Sequence, residues 1–438
     1  MKVDRDILNN LCLNITDGEH GTIQNDNDGR YFLLSNKNII NGQIIISDAD
    51  RRINKESFSK INKRTKLENG DLVISTVGVL GKLAIIKAEN LNYDFQRSVG
   101  IVKCDEKKIN TKYLYYYLNT QFVQNRLNHL SKGAVQKCLF ISDLKNLEID
   151  FPDLPTQQKI ASVLSALDDK IELNNRINAE LEAMAKTLYD YWFVQFDFPI
   201  VTSSGVEKPY KTSGGKMVYN ETLKREIPEG WEVTVFNDWI NDTKAGDWGK
   251  EAIEGNYTER VYCIRGADIN GINGKGEVKA PERFILKNNS SKKLVPNDFV
   301  VEISGGSPVQ STGRIALITE STLERFDTDI ICSNFCKAVS IKNEKYIYNF
   351  KQEWQRLYDA GVFFGFEGKT SGIKNFLFDS FMNSYSIVLP QKEIVEKYYE
   401  FAKSIDKKIQ SNLKQNQELS ALRDWLLPML MNGQVKVG

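Results

Sequence analysis

A chain of 438 residues that is 41% apolar and 26% charged has the composition of a folded protein with room for two or three domains. A formal net charge of +1 excludes the strongly basic balance of a free-standing DNA binder. The opening MKVDRDILNN has no basic-then-apolar leader pattern and no apolar run reaches membrane-spanning length, so a cytoplasmic protein without membrane contact is expected. Six scattered cysteines and two histidines, His20 and His129, make a structural metal site a poor reading, and reduced, buried thiols the simpler one.

Residues 1–151 read as a first globule. Alternating runs at 31–34, 44–46, 72–74 and 83–86 predict short strands between Gly- and Asn-rich turns. A helix is expected over 111–130 with Leu114, Leu118, Val123 and Leu127 inward; its tyrosines, Tyr113 and 115–117, suit a core rim better than a base-stacking platform. The segment 51–66, RRINKESFSKINKRTK, holds seven basic residues against one acid and reads as a cationic loop.

Residues 152–196 suit one long helix, entered at Leu154-Pro155 and free of further proline until Pro199. Such a helix is roughly 60 Å long, more than most globular cores need. Leu164, Leu167, Ile171, Asn174, Asn178, Leu181, Ala185, Leu188 and Trp192 alternate at spacings of three and four, a coiled-coil seam with two polar positions. Residues 197–229, poor in large aliphatics, read as an exposed connector, residues 230–388 as a second globule, and residues 389–438 as a second long helix.

The second helix repeats the first. Displaced by 238 positions, the seam returns as Ile405, Ile409, Asn412, Asn416, Leu419, Arg423, Leu426 and Leu430, with the asparagine pair in the same place. Upstream, Ile160 matches Ile394 at an offset of 234, four residues short, which is about one helical turn. Pro428 stands where the first helix has Asp190 and is expected to kink or end the second near Leu427. The globules echo each other weakly: LENGDLVIS against LVPNDFVVEIS with Asp71 matching Asp298, Gly81-Lys82 against Gly313-Arg314, and GAVQKCLF against SGIKNFLF. The fold class is therefore α+β, with two mixed α/β globules joined by two long antiparallel helices and an internal pseudo-two-fold repeat.

No catalytic signature holds. GVLGK at 78–82 lacks the spacing and the Ser/Thr of a phosphate loop, FFGFEG is no nucleotide turn, and NYDF at 92–95 lacks the prolines of an amino-methyltransferase motif. Residues 1–151 carry 22 basic against 18 acidic side chains and residues 230–388 carry 19 against 21, so charge is local rather than global. The 51–66 cluster recurs as Arg283, Lys287, Lys292 and Lys293 ahead of the matched strand, which favours phosphate contact over a merely solvated run.

On the two long helices, on ITDGEHGT at 15–22 and on EIPEGWEV at 226–233, the chain resembles the specificity subunits of type I restriction-modification systems across nearly its whole length. The resemblance implies two target-recognition domains, each reading one half of a bipartite double-stranded DNA site, and spacer helices that set the gap. It also implies docked methyltransferase subunits, two in number, with a translocating restriction subunit attached indirectly, no cofactor or metal of its own, and catalysis confined to those partners. Candidate DNA contacts are His20, Arg51, Arg52, Lys60, Lys63, Arg64, Lys82, Lys132 and Lys137 in the first globule. In the second they are Arg265, Lys292, Lys293, Arg314, Lys369 and Lys374. Leu167, Ile171, Asn174, Asn178 and Leu181 are expected to pair with Ile405, Ile409, Asn412, Asn416 and Leu419. The apolar crowding at 188–196 and 425–430 suits methyltransferase docking. The alternative is a coiled-coil scaffold whose two globules bind other ligands.

Overall fold

The computed structural model describes residues 3–87, 91–133, 137–201, 205–305, 307, 309–370 and 373–437, and the side chains of 369 and 370 lie outside that description. Parts of the matched segments GAVQKCLF and SGIKNFLF fall outside it as well. The chain divides into two compact units, Met1–Lys170 with Glu418–Gly438, and Ile171–Gln417.

In unit 1 the strand Leu72–Ser75 is buried along its whole length. Its side chains alternate between two cores: Leu72 and Ile74 join the helices on one face, Val73 joins Phe95 and Ile101 on the other. Burial on both faces explains a continuous apolar run where a one-sided strand would alternate. Four antiparallel strands form this sheet in the order Cys12–Asp17, Val99–Cys104, Leu72–Ser75, Leu83–Ile85. A second sheet places Tyr31–Leu34 antiparallel to Arg52–Ile53 and parallel to Tyr93–Phe95. The ladder of Asp4–Ile7 on Glu148–Phe151 closes the globule just before the long helix.

Unit 2 repeats these three ladders. Ile240–Ala245, Cys336–Ile341, Asp298–Glu302 and Ile315–Ile318 form the antiparallel sheet in the same order. Tyr257–Ile264 lies antiparallel to Glu282–Leu286 and parallel to Ile330–Cys332, and Glu232–Val235 pairs with Ser386–Leu389. The matched aspartates also share their geometry. Asp71 accepts from the Glu68 amide at 2.8 Å and from Lys103 at 2.7 Å; Asp298 accepts from the Val295 amide at 2.9 Å and from Lys244 at 2.8 Å.

Several expectations need correction. The segment 51–66 is not a loop: Asn54 caps the Ser57 amide at 2.9 Å and starts an amphipathic helix, Lys55–Thr65, with Ile61 and Thr65 buried. The run 44–46 enters a ladder only at Gln43–Ile44. The helix over 111–130 breaks at Thr120, whose extended backbone and hydroxyl end Thr111–Asn119 and cap Gln121–Leu130. Its four inward aliphatics and Tyr113, Tyr116 and Tyr117 are all buried. Finally, 197–229 is more than an exposed strap. It forms two antiparallel pairs, Pro199–Val201 with Glu207–Pro209 and Met217–Asn220 with Arg225–Pro228. Phe198 and Ile227 are buried, Phe198 stacked on Trp231 at 5.0 Å, while Val201, Val206, Val218 and Tyr219 stay exposed.

The first long helix, Leu154–Tyr189, runs into a π-helical turn at Asp190–Val194. The second, Lys392–Met431, continues past Pro428 rather than ending near Leu427. A proline removes one backbone bond; burial of Leu430, with Leu426, Leu427 and Met431 packed beside it on the unit 1 core, offsets that loss. In unit 1 Arg423 meets Asp168 at 2.7 Å, and Tyr116 donates to the same carboxylate at 2.6 Å. In unit 2 Asn174 donates to Asn416 at 2.9 Å and to Gln415 at 2.8 Å, Asn412 donates to Asn178 at 2.8 Å, and Asn416 donates to Asn175 at 2.8 Å. Rising numbers on one helix face falling numbers on the other, so the segments are antiparallel. Below the amides Ala185, Ile405, Ile409 and Leu413 are buried together, with Leu181 packed on them; Leu167, Ile171 and Leu419 are half-buried.

The buried Asn178 Nδ2 already has no acceptor among the described residues. Replacing Asn412 by Ala strips its Oδ1 of a donor too and should cost about 1–3 kcal/mol, whereas Asn178→Leu with Asn412→Leu should restore or exceed the parent stability. Thermal unfolding of the two variants checks the order.

Candidate nucleic-acid interface

Each globule gathers loops at one end of its four-stranded sheet. In unit 1 the strand Cys12–Asp17 leads into Gly18-Glu19-His20-Gly21. Gly18 lies so close to the Phe95 and Gln96 carbonyls that a Cβ would collide with them. The Glu19 amide donates to Phe95 at 2.7 Å, the Arg97 amide to Glu19 at 3.0 Å, and the Thr76 amide to Ser98 at 2.9 Å. The Glu19 carboxylate caps the Gly21 amide at 2.7 Å. The turn at 18–21, the turn at 96–98 and the hairpin tip at 76–82 are therefore one hydrogen-bonded platform. The Gly78 amide donates to Lys137 at 3.0 Å, which adds the 137–138 segment to it.

Unit 2 builds the same platform from Gly246-Asp247-Trp248-Gly249. A Cβ on Gly246 would collide with the Ser333 carbonyl, and the Asp247 amide donates to Cys332 at 2.8 Å. Asp247 Oδ1 caps the Trp248 and Gly249 amides at 2.8 and 3.2 Å. A cation secures each turn from the same side: Arg64 donates to the Gly18 carbonyl at 2.6 Å, and Lys292 to the Gly246 carbonyl at 3.4 Å. The turns read GEHG and GDWG, a correspondence that a four-residue match with two differing positions hides from sequence comparison. Trp248, Arg97 and Phe335 were missed for the same reason; their signal is their place after an equivalent strand.

The candidates fall into two groups. In unit 1, Lys60, Lys63 and Lys137 are exposed, Lys82 is half-buried, and none has a carboxylate partner among the described residues. Lys60 and Lys63 share a face of Lys55–Thr65 with Arg64. His20 is 60% exposed and 2.7 Å from Asp17. Arg97, exposed and likewise without an ion pair, joins them. Arg51 is folded onto Asn25 at 2.6 Å and the Ile23 carbonyl, Arg52 pairs with Asp48 at 3.1 Å, and Lys132 lies 3.9 Å from Asp143. In unit 2 the candidates hold structural ion pairs: Arg265 with Asp268 at 2.8 Å, Lys292 with Asp247 at 3.3 Å, Lys293 with Asp329 at 2.8 Å, and Lys374 with Glu367 at 2.9 Å. Arg314 grips the buried Glu302 with two nitrogens, at 2.9 and 2.6 Å. Hydrogen bonds to Asp268, Asp329 and Glu302 push Arg265, Lys293 and Arg314 above their ordinary pKa values. The Lys369 side chain lies outside the described residues. No three side chains of metal-binding type converge among the described residues, and no helix there is long and apolar enough to cross a membrane.

The fold and these platforms define an α+β protein with one loop-bearing module built twice on paired helices. Residues 20–183 match the family model described as the type I restriction modification DNA specificity domain. The chain is 26% identical over 400 residues to the type I restriction enzyme MjaIX specificity subunit of Methanocaldococcus jannaschii, covering 90% of this chain and 84% of the relative. It is 24% identical over 417 residues to the HindI specificity subunit of Haemophilus influenzae, covering 84% and 87%. The type I S subunit of M. genitalium shares the fold with a TM-score of 0.55 at 16% identity, over 98% of this chain and 96% of that one. The resemblance read from the sequence holds: along most of its length the chain is similar to specificity subunits of type I restriction enzymes.

Arg314 is a stability residue on this geometry. Its side chain is 14% exposed and that of Glu302 is 3% exposed, so Arg314→Ala leaves a buried carboxylate unpaired and should cost about 3 kcal/mol. Arg314→Met with Glu302→Gln should recover most of it. Chemical denaturation distinguishes this from a DNA contact, whose loss would lower affinity at unchanged stability.

Proposed function

We propose that the chain is the DNA-reading subunit of a type I restriction-modification complex, in which residues 1–151 read one half of a bipartite duplex site and residues 230–388 the other. The observation that carries the reading is the platform built twice, a glycine-flanked turn presenting His20 or Trp248, held by a basic side chain beside a hairpin tip. Backbone amides, cations and an exposed ring at loop ends are what groove recognition requires. Methyl transfer and cleavage belong to partner subunits: two methyltransferase subunits docked on the long helices, and a translocating nuclease attached through them. Trp425 and Met184, 56% and 54% exposed on those helices, support the docking. In this reading 152–196 and 389–438 are the spacers, and 197–229 links the first spacer to the second globule.

Phosphate contact is assigned to Lys60 and Lys63. Changing both to Gln should weaken binding to every sequence and lower the slope of log affinity against log salt by about two units. An unchanged slope would remove this helix from the interface. A scaffold that does not read DNA would show no sequence-dependent binding at any salt concentration.

The helix pair is proposed to set the gap between half-sites. Four residues inserted into each helix, after Asn175 and before Gln415, add about 6 Å of helix. With about 3.4 Å per base pair along each strand, the preferred gap should lengthen by one or two base pairs while both half-sites stay the same. Methylation-site mapping reads both quantities, and an unaltered gap or altered half-sites would sink the ruler.

A further inference from the structure

The two platforms are alike in backbone and unlike in chemistry. The Thr76 amide donates to Ser98 at 2.9 Å in unit 1, and the Ile303 amide to Phe335 at 2.9 Å in unit 2. The equivalence puts Asn334-Phe335 where unit 1 has Arg97-Ser98, and Trp248 where unit 1 has His20. Around its turn unit 1 thus carries Lys82, Arg97 and Lys137, which have no carboxylate partner among the described residues, while Arg64 lies 3.8 Å from Asp17. Unit 2 has neutralised the cations around its turn with carboxylates, and it exposes Trp248, Val309, Phe335 and Phe364 at 38, 89, 53 and 47%. Exposed apolar side chains on such loops mark a contact surface.

Trp248 is the best-built member of the group. Its ring lies over the Arg283 guanidinium, 4.5 Å from the ring centroid, and that side chain is only 11% exposed. Arg283 reaches Glu251 at 3.4 Å, a carboxylate 85% exposed, and the Glu282 carbonyl at 3.4 Å, and its buried Nε has no partner among the described residues. Its main neighbour is therefore the indole, which it holds from beneath. Asp247 fixes the backbone on both sides of the ring. The indole is presented rigidly, with one face packed.

We propose that Trp248 is a specificity-determining residue for the second half-site and makes a desolvated contact with a thymine methyl group, with Arg283 as its positioning residue. The inference rests on the reading of this platform as a DNA interface. A phosphate could engage only the indole Nε1–H, whereas the C5-methyl of thymine is the apolar group in the major groove that suits the ring face. On this division of labour unit 1 supplies the salt-sensitive grip and unit 2 an apolar, salt-insensitive contact.

The test uses the full chain with its methyltransferase partner and a duplex carrying the mapped methylation site. Each thymine of both half-sites is replaced in turn by uracil, which removes only the methyl group. For the parent chain, uracil at one or more positions of one half-site should weaken binding about fourfold, the value of one buried methyl-sized group. Trp248→Ala should bind the thymine duplex about fourfold less tightly, show no uracil penalty there and keep the parent salt slope. Trp248→Phe, which keeps an aromatic face, should retain part of the penalty and guards against a folding defect in the Ala variant. Arg283→Gln should shrink the penalty, and Arg283→Lys, which keeps a cation under the ring, should restore it. A uracil penalty that persists in Trp248→Ala, or a salt slope about one unit lower in that variant, overturns the methyl contact while the DNA reading stands. A parent chain with no preference for its mapped duplex overturns both.

Discussion

A layer of buried amides fixes the register of this protein. Asn174, Asn178, Asn412 and Asn416 are 1 to 9% exposed and hydrogen-bond only in one alignment of the two helices. An aliphatic seam tolerates a slip of one turn at the cost of some packing, but a slipped amide loses its partner in a place water cannot reach. Within unit 1, Asp168 is held by Arg423 and Tyr116 through charge-assisted bonds.

The helices were legible because their information is periodic. Seam spacing, the polar pair and the proline at the entry are local facts, and two copies made them unmistakable. The globules were legible only as a few strands, because their identity lies in pairing order. That Tyr31–Leu34 runs parallel to Tyr93–Phe95, across about sixty intervening residues, leaves no local trace. The same order in unit 2 is clear in the ladders and faint in the residues, since two-sided burial asks only for apolar side chains of suitable size. Residues 51–66 misled for a related reason. Basic side chains dominate the composition, while the helix is specified by a capping asparagine and by Ile61 and Thr65 on its inner face.

Charge was the least transferable part of the sequence reading. Basic residues at matched positions suggested matched roles, yet in unit 2 the matched cations neutralise carboxylates within the globule. Arg314 on Glu302 illustrates it: Nε and Nη2 are both committed to a buried carboxylate of the same globule. The sequence shows that a cation is present. Only the fold shows whether its partner is already there. The turns GEHG and GDWG carry the complementary lesson, because glycine at Gly18 and Gly246 is required by the approach of a neighbouring carbonyl and not by anything in the flanking residues.

The ladder that closes each globule has a further effect. Asp4–Ile7 lies on Glu148–Phe151, and Glu232–Val235 on Ser386–Leu389, so the chain enters and leaves each globule side by side, at the threshold of a helix. Everything between those strands is a cassette with a fixed two-strand base. A loop change away from the helix-packed core leaves that base, and with it the start of the helix, in place. The geometry thus permits helices that keep their likeness while the globules lose theirs.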